Sequence, residues 1–202
     1  MAILSTSTEA IGREGWAALK RTGWRWLWRC ALPFVLGGAL LASTQTQEMD
    51  EYKVKALFLY NFAKFVEWPD DVFPSPTAPI TLCVLGVDPF GTMIDEAVSH
   101  RFVGRRPLVV RRTSDMRNAA GCQILFVSAS ERGRVEAILN SVKGTGVLTV
   151  GETANFITAG GAIRFLLVDG SKVRFEINPH EAARQHLRIS PNVLNLAKIV
   201  MR

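Results

Sequence analysis

Between Asp50 and Trp68 the chain places Val54, Leu57, Phe58, Asn61, Phe62, Phe65 and Val66 at spacings of three and four, the stripe of an amphipathic helix. Asp50 and Glu51 fall in its first turn, where the helix dipole favours acids, and Pro69 is its expected stop. The segment Asp70 to Pro79 carries Pro74, Pro76 and Pro79 and reads as a loop. Short apolar runs follow at Ile80 to Gly86, Pro107 to Arg112, Cys122 to Val127 and Gly146 to Val150, each of strand length and rich in β-branched residues. Between them, Pro89 to Val98 and Glu131 to Val142 have helical spacing, the second with Val135, Ile138, Leu139 and Val142 on one stripe. Ala162 to Val168 and Lys172 to Asn178 flank Asp169-Gly170, a hairpin turn signal. Two helical segments close the chain, the first opened by Pro179 and the second by Ser190-Pro191 as cap and first position.

Alternation of strand and helix predicts an α/β fold: one domain with a mostly parallel twisted sheet, helices on both faces and a C-terminal hairpin. The layout is Rossmann-like, but the turn after the first strand, Gly86-Val87-Asp88-Pro89-Phe90-Gly91, lacks the G-x-G-x-x-G spacing and sets a proline where amides would cradle phosphate. No dinucleotide motif is therefore expected. Phosphate-loop, zinc-hydrolase and serine-hydrolase signatures are missing from the sequence as well. Ser128 and Ser130 have no histidine near them in sequence, and His100, His180 and His186 are scattered, so neither a hydrolase site nor a metal set is expected. No cofactor is called for.

The first 42 residues stand apart from this pattern. Four of the five tryptophans lie there, with Arg13, Lys20, Arg21, Arg25 and Arg29, followed by the uncharged run Cys30 to Ala42 and the polar stretch Ser43 to Gln47. That is the order of a secretory signal, and the apolar run is shorter than the roughly 20 residues that a spanning helix needs. We read residues 1–42 as a signal peptide, with an uncleaved anchor as the alternative, residues 43–49 as a short linker and residues 50–202 as the exported domain. The whole chain carries a net charge of +6. With the five basic and two acidic residues of the leader removed, 19 basic and 16 acidic residues remain, a charge of only +3, which leaves little compositional support for nucleic-acid binding.

Cys30 lies in the leader, so the exported part keeps Cys83 and Cys122. An even pair outside the cytoplasm suggests a disulfide, two separate buried thiols being the alternative. In a sheet whose order begins 2-1-3, the strands holding them are neighbours.

Several blocks, in order, resemble the YfiR-like family of periplasmic regulators. They are the opening helix from Tyr52 to Pro69, Leu82 to Gly91, Gly121 to Val127, Val147 to Val150, Gly160-Gly161, Val173 to Asn178 and the closing ISPNVLNLAK. The resemblance implies a periplasmic protein, not an enzyme, that binds the periplasmic domain of an inner-membrane diguanylate cyclase and represses cyclic di-GMP synthesis and biofilm formation. It also implies relief of repression linked to redox state and to an outer-membrane lipoprotein, and a disulfide in the blocks that hold Cys83 and Cys122. A second cysteine pair belongs to the family pattern and has no counterpart here, which puts redox switching through such a pair in doubt. A homodimer is a further partner to consider. The competing reading is a periplasmic small-ligand sensor feeding a histidine kinase or transporter, with its pocket at the carboxyl ends of the strands near Asp88 and Ser128.

Three groups of residues are candidates for a partner or ligand surface. Arg105, Arg106, Arg111 and Arg112 enter and leave the second strand run and could meet carboxylate or phosphate, or simply be solvated. Arg174, Glu176 and Asn178 alternate with apolar residues and are expected on one face of a strand. Tyr52 and Trp68, at the two ends of the opening helix, are the aromatic candidates for a protein contact.

Overall fold

The computed structural model describes the backbone of residues 32–200 and the side chains of most residues from 48 to 198. The expectations for residues 1–31 lie outside the described residues. The chain divides into two compact units, Met1–Thr46 and Gln47–Arg202, and the sheet and its helical layers belong to the second.

Helix α1 runs Leu32–Phe65. Its start precedes the expected Asp50, so the backbone of residues 43–49 is helical, in keeping with the good helix formers Gln47, Glu48 and Met49. Its end comes earlier than expected: Val66–Glu67 leaves the helix as strand β1 and pairs antiparallel with β9, Arg188–Ile189. β-Branched Val66 and the extended conformation imposed by Pro69 on the residue before it favour that departure.

The remaining strands are β2 (Ile80–Leu85), β3 (Phe102–Val103), β4 (Arg106–Thr113), β5 (Ile124–Val127), β6 (Leu148–Gly151), β7 (Ile163–Val168), β8 (Lys172–Ile177) and β10 (Ile199–Val200). They form one sheet in the order β10-β8-β7-β6-β5-β2-β4-β3. β4, β2, β5, β6 and β7 are mutually parallel, the doubly wound 2-1-3-4-5 order. β7 and β8 form the expected antiparallel hairpin; Asp169 and Gly170, both at positive φ, make the turn, and Ser171 is a third loop residue because Val168 pairs with Lys172. The fold is thus the α/β arrangement read from the sequence.

Alternation along the central strands builds two cores. Leu82 and Val84 of β2, Ile124 and Phe126 of β5 and Leu148 and Val150 of β6 face a layer made by α1, α2 (Met93–Val98), α4 (Pro179–Arg184) and α5 (Pro191–Leu196). Cys83, Leu85, Leu125 and Val127 face the other way, against Val135, Ile138 and Leu139 of α3 (Val135–Ser141) and the turn before β5. Burial on both faces is why these strands read as continuous apolar runs.

The short C-terminal helices depend on their caps. Asn178 opens α4 by accepting from the amides of His180 and Glu181, and Ser190 accepts from that of Asn192 at the start of α5. Because α4 has only six residues, Asn178→Ala should cost about 1 kcal/mol. Urea denaturation would show this as a lower midpoint at unchanged slope, and an unchanged midpoint would mean that the cap is dispensable.

Candidate functional site

In a doubly wound sheet the position that commonly takes a ligand is the crevice at the carboxyl ends of the strands, where β2 and β5 diverge to opposite faces. Here the first turns of α1 within the second unit occupy it. Lys55, only 4% exposed, reaches Glu152 just beyond β6 at 2.7 Å and also pairs with Glu51 one turn earlier in its own helix. The hydroxyl of Tyr52 donates to the same Glu152 carboxylate at 3.2 Å, and the Lys55 ammonium lies 4.3 Å from the centre of the Tyr52 ring. The second oxygen of Glu152 accepts the backbone N–H of Ala129 after β5. Two side-chain donors and one amide therefore converge on one buried carboxylate.

Burial, reinforced by the charge of Glu152, holds the Tyr52 hydroxyl well above the ordinary tyrosine range. A raised folded pKa contributes stability that is fully present below the unfolded value of about 10 and is lost as pH rises toward the folded one. Tyr52→Phe should therefore flatten the alkaline limb of the stability profile. Equal slopes above pH 10 for wild type and variant, in unfolding measured across pH, would contradict this environment.

The groups offered for the small-ligand reading are engaged within the chain. Asp88 accepts from the amide of Phe90 at 2.7 Å and from Arg112 at 2.6 Å. Ser128 is buried and accepts from the amide of Ser130, whose own hydroxyl accepts from that of Val87 at 3.0 Å. Both serines thus serve turns.

The four arginines are brought to different places. Arg105 sits in the exposed turn before β4. Arg106 stacks 3.5 Å from the centre of the Phe73 ring and donates to the carbonyls of Ser75 and Ala78, which ties down the proline-rich loop. Arg112 bridges Asp88 and Asp95, and these carboxylates push its pKa further up. Arg111, on the opposite face of β4, lies over the Cys83–Cys122 disulfide, 3.3 and 3.1 Å from the two sulfurs. Both cysteines are buried, and the bond joins β2 to the residues just before its neighbour β5. Three of the four guanidiniums thus hold the fold together, and Arg105 alone has no partner among the described residues.

Arg174, Glu176 and Asn178 separate in the same manner. Glu176 pairs with Arg164, its register partner across the hairpin, at 2.8 Å. Arg174 is exposed, and Asn178 is the cap of α4. Sequence reasoning missed Arg164; a register counted from a two-residue turn at Asp169-Gly170 would have set Glu176 opposite Ile163, and the observed pairing of Val168 with Lys172 shifts it by one residue to Arg164. Tyr52 belongs to the Glu152 cluster. Trp68 packs against the core with its indole N–H buried and unpaired.

Exposed apolar side chains gather on the outer stripe of α1, where Val54 is 39% and Leu57 44% exposed. Leu196 at the end of α5 is 64% exposed. Between Phe58, Asn61, Phe62 and Phe65 of α1 and Asn192, Val193 and Leu196 of α5 opens an apolar pocket, closed below by Phe175. This surface offers hydrophobic contact with an aromatic centre, the kind of patch that marks interaction sites. Among the described residues no cluster of three or more His, Cys, Asp or Glu could hold a metal, and no helix is long and apolar enough to cross a membrane.

A family model described as YfiR/HmsC-like matches residues 52–198. Among solved structures, the chain is similar to the ABC domain in complex with L-Trp from Streptococcus pneumonia, at 12% identity and a TM-score of 0.45. It is also similar to a conserved domain protein from Vibrio cholerae O1 biovar El Tor, at 10% identity and a TM-score of 0.46. In both cases the match covers 60% of this chain and 55% of the other, so it spans little more than half of those proteins.

Proposed function

The chain belongs to the YfiR/HmsC-like family, and on that footing we propose that it is an exported negative regulator, not an enzyme. In this reading it binds the periplasmic domain of an inner-membrane diguanylate cyclase and lowers cyclic di-GMP synthesis. The observation that carries the reading is the family match, which extends over nearly the whole described domain. The order of basic, apolar and polar residues in the leader supports export, and the apolar patch on α1 and α5 supports a protein partner.

The mechanism is differential binding. A regulator can repress only by as much as it prefers the inactive conformation of the cyclase, and relief requires a signal that weakens this preference. An outer-membrane lipoprotein competing for the regulator would act in that way. Deleting the gene should raise intracellular cyclic di-GMP, and supplying the wild-type chain should restore it. A version lacking residues 1–42 should fail to restore it, because it stays on the wrong side of the membrane. Unchanged cyclic di-GMP on deletion, in cells shown to make the protein, would refute repression.

A further inference from the structure

At one side of the sheet, β4 has β3 beside it only at Arg106 and Pro107, and no described strand flanks its outer side from Val109 to Thr113. The amide of Leu108 points outward, donating to the Arg101 carbonyl at 3.1 Å, whereas the carbonyl of Thr113 points inward, accepting from Gly86 at 3.0 Å. Alternation therefore turns the N–H and C=O groups of Val110 and Arg112 away from β2 and toward the open side. Such an edge is a template for a further strand. Val109 and Arg111 stand on the disulfide face of the sheet, and Phe102, opposite Pro107, extends the same row. Phe102 is 61% and Val109 38% exposed. The charge beside this row is of one sign, since Arg101 to Thr113 holds five arginines and no acid. Arg106 and Arg112 are engaged within the chain. Arg101 lies 4.7 Å from the centre of the Tyr60 ring, Arg105 is exposed and Arg111 rests on the disulfide, and none of these three meets a carboxylate of a described residue.

We propose that this edge takes an extended acidic segment of a partner protein as an added antiparallel strand. The segment pairs with the backbone of Val110 and Arg112, sets an apolar side chain beside Val109 and Phe102, and sets a carboxylate two residues away beside Arg111. The spacing follows from the strand period, and the antiparallel sense from its stronger pairing per residue. A second copy of the chain is the poorer occupant, because its own edge brings five more arginines and no carboxylate. The surface would exist whether or not the chain represses a cyclase.

The test titrates the nitrogen-15-labelled full chain with blocked five-residue peptides at millimolar concentration, read by amide NMR shifts. The first peptide carries glutamate second and valine fourth among threonines, the second has lysine in place of glutamate, and the third keeps glutamate but is N-methylated at its central threonine. The glutamate peptide should shift the amides of Val110 and Arg112 and bind about tenfold more tightly than the lysine peptide, the difference between an attractive and a repulsive cross-strand pair. The methylated peptide should not bind. Arg111→Gln should bring the glutamate and lysine peptides to within about twofold of each other. Val110→Pro removes only an outward N–H and should abolish binding; should that variant unfold, the methylated peptide decides the same point on the wild-type chain. No binding by the glutamate peptide would overturn the proposal, as would equal binding of the lysine or methylated peptide, or shifts that leave Val110 and Arg112 untouched. Sedimentation showing a dimer that Val110→Pro disperses would assign the edge to a second copy and equally overturn it. None of these results touches the regulatory reading, because no cyclase is present.

Discussion

Replacing Cys83 and Cys122 together by serine should lower the free energy of unfolding by about 4 kcal/mol, the chain-entropy value for a loop of this length. The sequence separation of 39 is long enough that the unfolded chain loses much freedom when the loop is closed. The native geometry accommodates the link without displacement, since the Cα atoms of Cys83 on β2 and Cys122 just before β5 are 5.9 Å apart. Arg111 adds a second expectation. Once the sulfurs become hydroxyls, its guanidinium keeps the carbonyl of Asn118 as a partner at 2.9 Å, so the variant should fold, only less stably. Denaturant titration of both forms gives the answer directly. A loss below about 1 kcal/mol would mean that the unfolded state is already restricted, or that the bond contributes little to this fold.

Glu152→Leu should cost about 3 kcal/mol, the lower end of the range for breaking a buried ion pair. The substitution removes the acceptor for Lys55, Tyr52 and the Ala129 amide at once. Glu51 remains beside Lys55 and keeps the loss from being larger. Combining Glu152→Leu with Lys55→Met should recover part of the stability, because the cost lies in the uncompensated charge more than in the lost pair. The pair of variants thus separates a buried ion pair from mere packing. If the double variant is as unstable as the single, the cluster acts through shape.

Most of the fold was legible because the central strands are covered on both sides. Continuous runs such as Ile80 to Leu85 and Ile124 to Val127 can be little else than the middle of a parallel sheet. Asp169-Gly170, Pro179 and Ser190-Pro191 marked turn and caps through local chemistry, and all are used as expected. The two-residue strands were not legible. β1, β3, β9 and β10 owe their existence to pairing with distant segments, and nothing in Val66-Glu67 or Arg188-Ile189 distinguishes them from helix end or loop.

The candidate surfaces show a different limit. Strand alternation places Arg111 and Arg112 on opposite faces, yet sequence proximity alone presents them as one cluster. Their partners, a disulfide and two aspartates, come from β2, the turn before β5 and the segment after β2. Glu152 carried no local signal at all, being a single acid in a turn whose importance comes from α1 folding over it.

The central claim is that this chain restrains one membrane-bound cyclase from outside the cytoplasm. The measurement that bears on it most directly is intracellular cyclic di-GMP in strains lacking this gene together with, one at a time, each membrane-bound diguanylate cyclase that has a periplasmic domain. Removal of the true partner should abolish the rise caused by losing the regulator, and removal of the others should leave it in place. A rise that persists in every double deletion would contradict the account.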